Sequence, residues 1–146
     1  MFLIDTNVIS EARKGRRADA GVQAFWADVT QTESPLFLSS ITIGELRRGV
    51  ELIRHRGDQM QARQLEDWLA EVMEAFSDRV LGLDADAAQV WGRLRVPSPH
   101  NAIDKQIAAI ALLHDLTLVT RNTRDFEGTG VELLNPFTAA ESTERP

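Results

Sequence analysis

The sequence predicts an α/β protein with one domain, built on a central parallel sheet of about five strands with helices on both faces. Short apolar runs typical of buried strands alternate along the chain with longer segments that have helical periodicity. Because parallel strands need long crossover connections, this alternation favours a parallel sheet. Four polar motifs also follow a predicted strand or open a predicted helix, where the ligand-binding edge of such a sheet lies. They cover residues 5–7, 42–45, 101–104 and 120–126.

The predicted strands are short, and several have a clear boundary. Asp5 interrupts the first apolar run, Pro35 precedes the second, and Pro136 follows the last and ends the predicted fold. The predicted strands cover residues 2–4, 36–38, 80–83, 116–119 and 131–134. Residues 1–137 are therefore predicted to form the domain, and residues 138–146 a loose C-terminal tail.

The segments between the strands have apolar residues at helical spacing. Val22, Phe25, Trp26 and Val29 form one such stripe, and Asp84 is a suitable N-cap for a later helix. The predicted helices cover residues 18–29, 42–55, 59–76, 85–94 and 101–114. The last helix contains a continuous apolar run over residues 107–113, which predicts that it is buried on all sides.

Composition restricts the possible classes of site and partner. The chain has 146 residues, of which 43% are hydrophobic and 26% charged, and this is ordinary for a globular domain. It has no cysteine, and its three histidines lack metal-ligand spacing, so any metal must be held by oxygen atoms. No apolar run approaches the roughly 20 residues of a membrane helix. We therefore expect a cytoplasmic protein without a membrane partner.

Three acidic residues are candidates for such a metal site, and each also has a structural interpretation. Asp5 follows the first strand and is also a good helix N-cap. Glu45 forms a possible capping box with Thr42, and Asp104 lies in a first helical turn, where the helix dipole favours an acid. Because Asp104 is at the end of a buried helix, we expect a raised pKa unless a cation compensates.

The fourth polar motif follows the predicted strand at residues 116–119. Thr120 and Asn122 can form hydrogen bonds at the end of this strand, and Asp125 precedes Phe126, which is expected to pack in the core. A helix cap at Asn122 or Thr123 is a sufficient structural explanation. If the four motifs meet at one edge of the sheet, their oxygen atoms form a pocket for a divalent cation such as Mg²⁺.

The cations are clustered, although the formal net charge is −6. This charge argues mildly against a nucleic-acid partner, but local basic patches can still attract a polyanion. The alternative is that these residues only form solvated surface. The candidate phosphate contacts are Arg13, Lys14, Arg16, Arg17, Arg47 and Arg48.

The polar motifs resemble those of the PIN domain, and in particular the VapC-type ribonuclease toxins of bacterial type II toxin–antitoxin systems, in their FitB-like branch. The resemblance extends over nearly the whole chain. The segments that carry it are residues 2–11, residues 40–49, Asp104 with residues 107–111, and residues 116–126 with Gly128 and residues 134–136.

This resemblance implies a Mg²⁺- or Mn²⁺-dependent endoribonuclease. It identifies Asp5, Glu45 and Asp104 as the acidic cluster, with Asp5 and Asp104 as metal ligands. Many PIN domains have a fourth acid where this chain has Asn122, which brings no charge and is a poor general base. The supporting residues are Thr6, Asn7 and Thr120, with Asp125 as a possible substitute for the fourth acid.

The resemblance also implies a structured RNA substrate, often transfer RNA, a homodimer, and a cognate antitoxin that blocks the site within a larger toxin–antitoxin complex. Two alternatives remain. A phosphatase of the haloacid-dehalogenase type also begins with an Asp after its first strand, but it needs a second Asp where this chain has Asn7. A catalytically weak or inactive PIN module that binds RNA or a protein is favoured by Asn122 and opposed by the three acids.

Overall fold

The computed structural model of this protein describes residues 1–138, so most of the predicted tail lies outside the described residues. The strands are β1 (Phe2–Ile4), β2 (Leu36–Ser39), β3 (Val80–Leu81), β4 (Thr117–Val119) and β5 (Leu133–Leu134). The helices are α1 (Thr6–Ala12), α2 (Ala20–Thr32), α3 (Ser40–His55), α4 (Gln59–Ala75), α5 (Ala85–Leu94) and α6 (Ala102–Leu113). Two short 3-10 helices cover Gly15–Arg17 and Thr123–Phe126.

The five strands form one parallel sheet in the order β3-β2-β1-β4-β5, which confirms the predicted fold class. The chain runs outward from β1 through β2 to β3, and then returns to the other side of β1 to add β4 and β5. The direction of winding therefore changes between β1 and β4. In open α/β sheets, ligands bind at the carboxyl ends of the strands at such a change.

Alternate residues of the strands face two separate hydrophobic cores. Ile4 and Val119 belong to a core that includes residues of α1 to α4, whereas Leu3 and Leu118 belong to a core with α5 and α6. Helices therefore cover both faces of the sheet, as predicted.

Residues 107–111 of α6 are buried, but the helix is not buried on all sides as its apolar run over residues 107–113 predicts. Its last turn reaches the surface, where Leu112 is half-buried and Leu113 is 38% exposed.

The start of α3 differs from the prediction and removes the proposed capping box. β2 extends to Ser39, whose hydroxyl oxygen accepts a hydrogen bond from the Thr42 backbone N–H at 3.0 Å. Because this serine caps the helix directly after the strand, α3 begins at Ser40 and Glu45 lies in its second turn. Glu45 is therefore not required as a helix cap.

The chain remains packed beyond Pro136. Phe137 is buried in the first core, and the Thr138 hydroxyl donates a hydrogen bond to Asp19 Oδ2 at 3.0 Å. Pro136 thus does not end the fold, because the next aromatic residue fills space beside α2. Among residues 1–138, no helix combines the length and the apolar character needed to cross a membrane.

We predict that Gly21→Ala destabilises the protein by about 1–3 kcal/mol through overpacking. A Cβ atom at Gly21 would overlap the Pro136 carbonyl oxygen and the Thr138 methyl group. Gly49→Ala is the matched control, because a Cβ atom there meets nothing within 4 Å and alanine favours the helix by about 0.5–1 kcal/mol. Urea unfolding measures both variants. Equal stability of the two would contradict the packing of residues 136–138 against α2.

Candidate active site at the carboxyl edge of the sheet

Asp5 lies between the ends of β1 and β4, and only 5% of its surface is exposed. Its Oδ1 accepts a hydrogen bond from the Thr6 backbone N–H at 2.8 Å, so Asp5 does cap α1. Its Oδ2 accepts a second hydrogen bond, from the buried Thr120 hydroxyl at the end of β4, also at 2.8 Å. Asp5 therefore both caps α1 and belongs to a polar site at the end of β4.

The Thr6 side chain connects Asp5 to α3. Its hydroxyl donates a hydrogen bond to Glu45 Oε1 at 2.7 Å and lies 3.2 Å from the Thr42 hydroxyl oxygen. Thr42 is buried and also receives a hydrogen bond from the Ser39 hydroxyl at 3.3 Å. These contacts orient one oxygen of the Glu45 carboxylate.

Asn7 and Thr120 connect the start of α1 to the segment after β4. The Asn7 amide nitrogen lies 3.3 Å from Thr120 Oγ1 and 3.5 Å from Asp5 Oδ2, and its amide oxygen accepts from the Arg121 backbone N–H at 3.0 Å. Asn122 uses its backbone N–H to bond Thr120 Oγ1 at 3.0 Å, and its own side chain is exposed and caps no helix. The side chain of Asn122 is therefore available to a ligand.

The carboxylates of the site act on one another electrostatically. Burial raises the pKa of Asp104 to about 6, and the charges of Asp5, Asp125 and Glu45 add to this rise. Burial also raises the pKa of Asp5, against the lowering effect of its hydrogen bonds, and the charges of Glu45 and Asp125 raise it further. The raised pKa of Asp104 agrees with the expectation from its position at the end of a largely buried helix.

The donor atoms of this site fit a hard divalent cation. All of them are oxygens, and the nearby carboxylates repel one another in a way that a cation would relieve. In the part of the chain that the structure describes, no group of three or more His, Cys, Asp or Glu side chains is close enough to form a complete metal site. Mg²⁺ is commonly bound by only one or two carboxylates and completes its shell with water and substrate.

The predicted phosphate contacts have different environments. Arg47 forms ion pairs with Glu51 and Glu66, at 3.2 and 2.8 Å, and Lys14 pairs with Glu11 at 3.0 Å. The Arg13 guanidinium lies 5.9 Å from the centre of the Trp68 ring. The predicted cations that are exposed and have no ion pair within residues 1–138 are Arg13, Arg16, Arg17 and Arg48.

Sequence reasoning did not identify Ser39, and it gave Thr42 only a role in helix capping. Ser39 and Thr42 support the contact between Thr6 and Glu45. A serine at the end of β2 is the available signal, because such a residue caps a helix that starts immediately. Asp125 is exposed and makes no hydrogen bond with its side chain to other described residues, although its charge reaches Asp5 and Asp104.

A parallel sheet with acidic residues at its change of winding direction defines an α/β domain with a ligand-binding edge, and comparison with known proteins identifies the family. The chain belongs to the PIN domain family, whose model matches residues 2–131. A VapC ribonuclease, Y4jK of Sinorhizobium fredii, is 35% identical over 96% of this chain and 100% of the relative. A tRNA(fMet)-specific endonuclease VapC of Shigella flexneri is 32% identical over 88% of this chain and 92% of the relative.

Solved structures of similar chains agree with this assignment. FitAcB from Neisseria gonorrhoeae superposes with a TM-score of 0.80 at 34% identity, over 93% of this chain and 98% of the other. A toxin–antitoxin complex from Klebsiella pneumoniae gives a TM-score of 0.61 at 26% identity, over 94% and 98% of the two chains. The resemblance to VapC-type and FitB-like PIN domains is therefore confirmed.

We predict that Asp104→Asn stabilises the metal-free protein near neutral pH. The pKa of Asp104 is raised from its ordinary value of 3.8 to about 6, so the folded state binds more protons than the unfolded state between these values. Its contribution to stability is therefore present at low pH and is lost as the pH rises through about 4 to 6. In EDTA at about pH 7, the variant should be about 1–2 kcal/mol more stable, after allowance for solvent screening.

Urea unfolding at several pH values measures this difference, which should disappear at about pH 4. Asp67→Asn, which removes an exposed carboxylate from the middle of α4, is the control and should leave the stability curve unchanged. A difference between Asp104→Asn and the original protein that is the same at every pH would contradict this electrostatic account.

Proposed function

We propose that this chain is the toxin of a toxin–antitoxin pair and a Mg²⁺- or Mn²⁺-dependent endoribonuclease that hydrolyses phosphodiester bonds in structured RNA. The observation that carries the proposal is the position of Asp5. It is buried and held by two short hydrogen bonds, at the change of winding direction, within electrostatic range of Glu45 and Asp104. The PIN fold and the similarity to a VapC ribonuclease support the same activity.

In this proposal, Asp5 and Asp104 hold the cation. Thr120 and the Thr6 backbone N–H fix the direction of the Asp5 carboxylate, which reduces the reorganisation needed on binding. When bound, the cation supplies polarisation of the scissile phosphate and a lower pKa for the attacking water.

Glu45 and Asp5 are the two candidates for the general base, and Glu45 is the better one. Both oxygens of Asp5 already accept hydrogen bonds, whereas Glu45 has only Oε1 bonded, to Thr6, among the described residues. Glu45 is also more exposed than Asp5. Its Oε2 is therefore free to accept a proton from the attacking water, in a direction that Thr6 sets.

We extend the proposal to the substrate, partners and location. Transfer RNA is the favoured substrate, supported by the similarity to a tRNA(fMet)-specific endonuclease. Arg13, Arg16, Arg17 and Arg48 are the phosphate contacts among the predicted cations, because ion pairs already engage Arg47 and Lys14. A cognate antitoxin is supported by the similarity to a toxin–antitoxin complex. We also propose a homodimer in the cytoplasm.

A second candidate is a PIN module with weak or no catalysis that binds RNA or a protein partner. The observation in its favour is Asn122, whose exposed amide stands where many PIN domains have an acid. Asp125 can replace the missing charge in part, since it raises the pKa values of Asp5 and Asp104. The two functions differ in whether RNA binding leads to metal-dependent cutting.

We predict that the purified protein, free of antitoxin, cuts unfractionated transfer RNA in the presence of Mg²⁺ or Mn²⁺. Adding EDTA should stop the cleavage. Asp5→Asn should reduce the rate of RNA cleavage at least about 100-fold. Mutation of a residue that supports a metal ligand typically costs 10- to 100-fold in activity, and loss of the ligand itself should cost more. Asp28→Asn, which alters an exposed carboxylate on α2, is the matched control and should cut normally. Gel electrophoresis of the RNA products measures the rates.

The possible failures of this assay are distinct. Cutting that persists in EDTA and in Asp5→Asn would exclude the metal-dependent mechanism. A folded protein that binds the RNA equally well with and without metal, and never cuts it, would support the non-catalytic module.

A further inference from the structure

A polar pocket lies beside the acidic site, between the loop after α5 and the 3-10 helix Thr123–Phe126. Its cavity has a volume of about 330 Å³, close to the lower limit for sites that bind small ligands. We call it the α5–α6 pocket and define it by the residues that the following argument uses, Ser98, His100, Lys105, Arg124, Asp125 and Glu127. This size suits one small group, not a long segment of a partner.

The α5–α6 pocket and the acidic site are adjacent. Lys105 follows Asp104 directly on α6, and Asp125 both lines the pocket and acts electrostatically on Asp5 and Asp104. A substrate strand whose phosphate lies at Asp5 and Asp104 would therefore place a neighbouring nucleotide at this pocket.

The pocket offers two cations that no carboxylate engages within residues 1–138. Lys105 Nζ donates a hydrogen bond to the Ser98 carbonyl oxygen at 2.6 Å, and Arg124 is exposed. In contrast, Arg54 on α3 pairs with Glu51 and Glu66, both at 2.7 Å. Cations that are ion-paired in this way have less to gain from a phosphate.

The pocket lining is not uniformly basic, since it also contains Asp125 and Glu127. A free polyanion therefore gains little from the pocket alone, and the chain as a whole carries a net charge of −6. Binding is favoured when the same strand also reaches the cation held by Asp5 and Asp104. The exposed His100 ring adds a flat face on which a base can stack.

From this geometry we propose that the α5–α6 pocket binds one nucleotide of the RNA next to the bond that is cut. Lys105 and Arg124 bind its phosphate, and His100 stacks on its base. The inference rests on the proposed ribonuclease function and adds to it the residues that hold the substrate beside the reacting phosphate.

The experiment measures binding of unfractionated transfer RNA with Mg²⁺ over a range of salt concentrations, in a Glu45→Gln background that lacks the proposed general base, so that the RNA meets the cation without being cut. Cleavage with Mg²⁺ is measured beside it in the chain that retains Glu45. Lys105→Gln with Arg124→Gln should weaken binding about 10-fold and lower the slope of log affinity against log salt by about 0.7 to 1.4, which corresponds to one or two phosphate contacts. His100→Ala should weaken binding at least about 5-fold without changing this slope, because stacking involves no charge.

Matched controls come from the far end of α3 and from α4. Arg56→Gln with Arg63→Gln removes two exposed cations, and His55→Ala removes an exposed imidazole. Both controls should keep the original affinity and slope. Lys105→Arg with Arg124→Lys preserves the charges and should also retain the slope, which separates loss of phosphate contacts from loss of structure.

The subsite is excluded if Lys105→Gln with Arg124→Gln has the same slope and affinity as Arg56→Gln with Arg63→Gln. It is also excluded if Lys105→Arg with Arg124→Lys loses as much binding as the Gln pair at Lys105 and Arg124. Failure of the proposed function is a separate result, in which the unaltered protein neither binds nor cuts the RNA. Cutting by the unaltered protein together with undiminished binding by the Gln pair would overturn the subsite and leave the ribonuclease function standing.

Discussion

The hydrogen bonds of the Asp5 carboxylate are the contacts on which the arrangement of the site depends. Burying a carboxylate to 5% exposure costs free energy of folding unless its oxygens accept hydrogen bonds. Here the Thr120 hydroxyl and the Thr6 backbone N–H each donate one at 2.8 Å. Since Thr6 also bonds Glu45, these contacts join the ends of β1 and β4 to α3. The strand order makes them possible, because β4 lies directly beside β1.

The same packing brings acidic side chains within electrostatic range of one another. Burial and neighbouring carboxylates raise the pKa of Asp104 to about 6 and also raise the pKa of Asp5. A chain selected for stability alone would not keep this arrangement, since uncharged residues would remove the repulsion. Strained or unfavourable features of this kind are concentrated at functional sites, where a ligand relieves them. This repulsion is the physical basis for the cation site that we propose at the acidic edge.

The sequence is sufficient to predict the fold class, but not the contacts that the candidate site residues make. The apolar run at residues 107–113 correctly indicates a helix packed in the core, but it does not reveal that the last turn reaches the surface, where Leu113 is 38% exposed. The predicted start of α3 was wrong, because Thr42 and Glu45 match the pattern of a capping box. In the structure the Ser39 hydroxyl caps the helix, which therefore begins at Ser40. Arg47 shows a further limit, because its pairing with Glu66 depends on how α3 packs against α4 and no local pattern encodes it. The α5–α6 pocket likewise depends on two segments that are distant in sequence.

Titration of the protein with Mn²⁺ by calorimetry tests most directly whether Asp5 and Asp104 hold one cation together. The account predicts that Asp5→Asn and Asp104→Asn each weaken binding at least about 10-fold, that the double variant is little weaker than either, and that Asp67→Asn binds normally. Unchanged Mn²⁺ affinity in both single variants would contradict it, because the carboxylates would then not form a metal site.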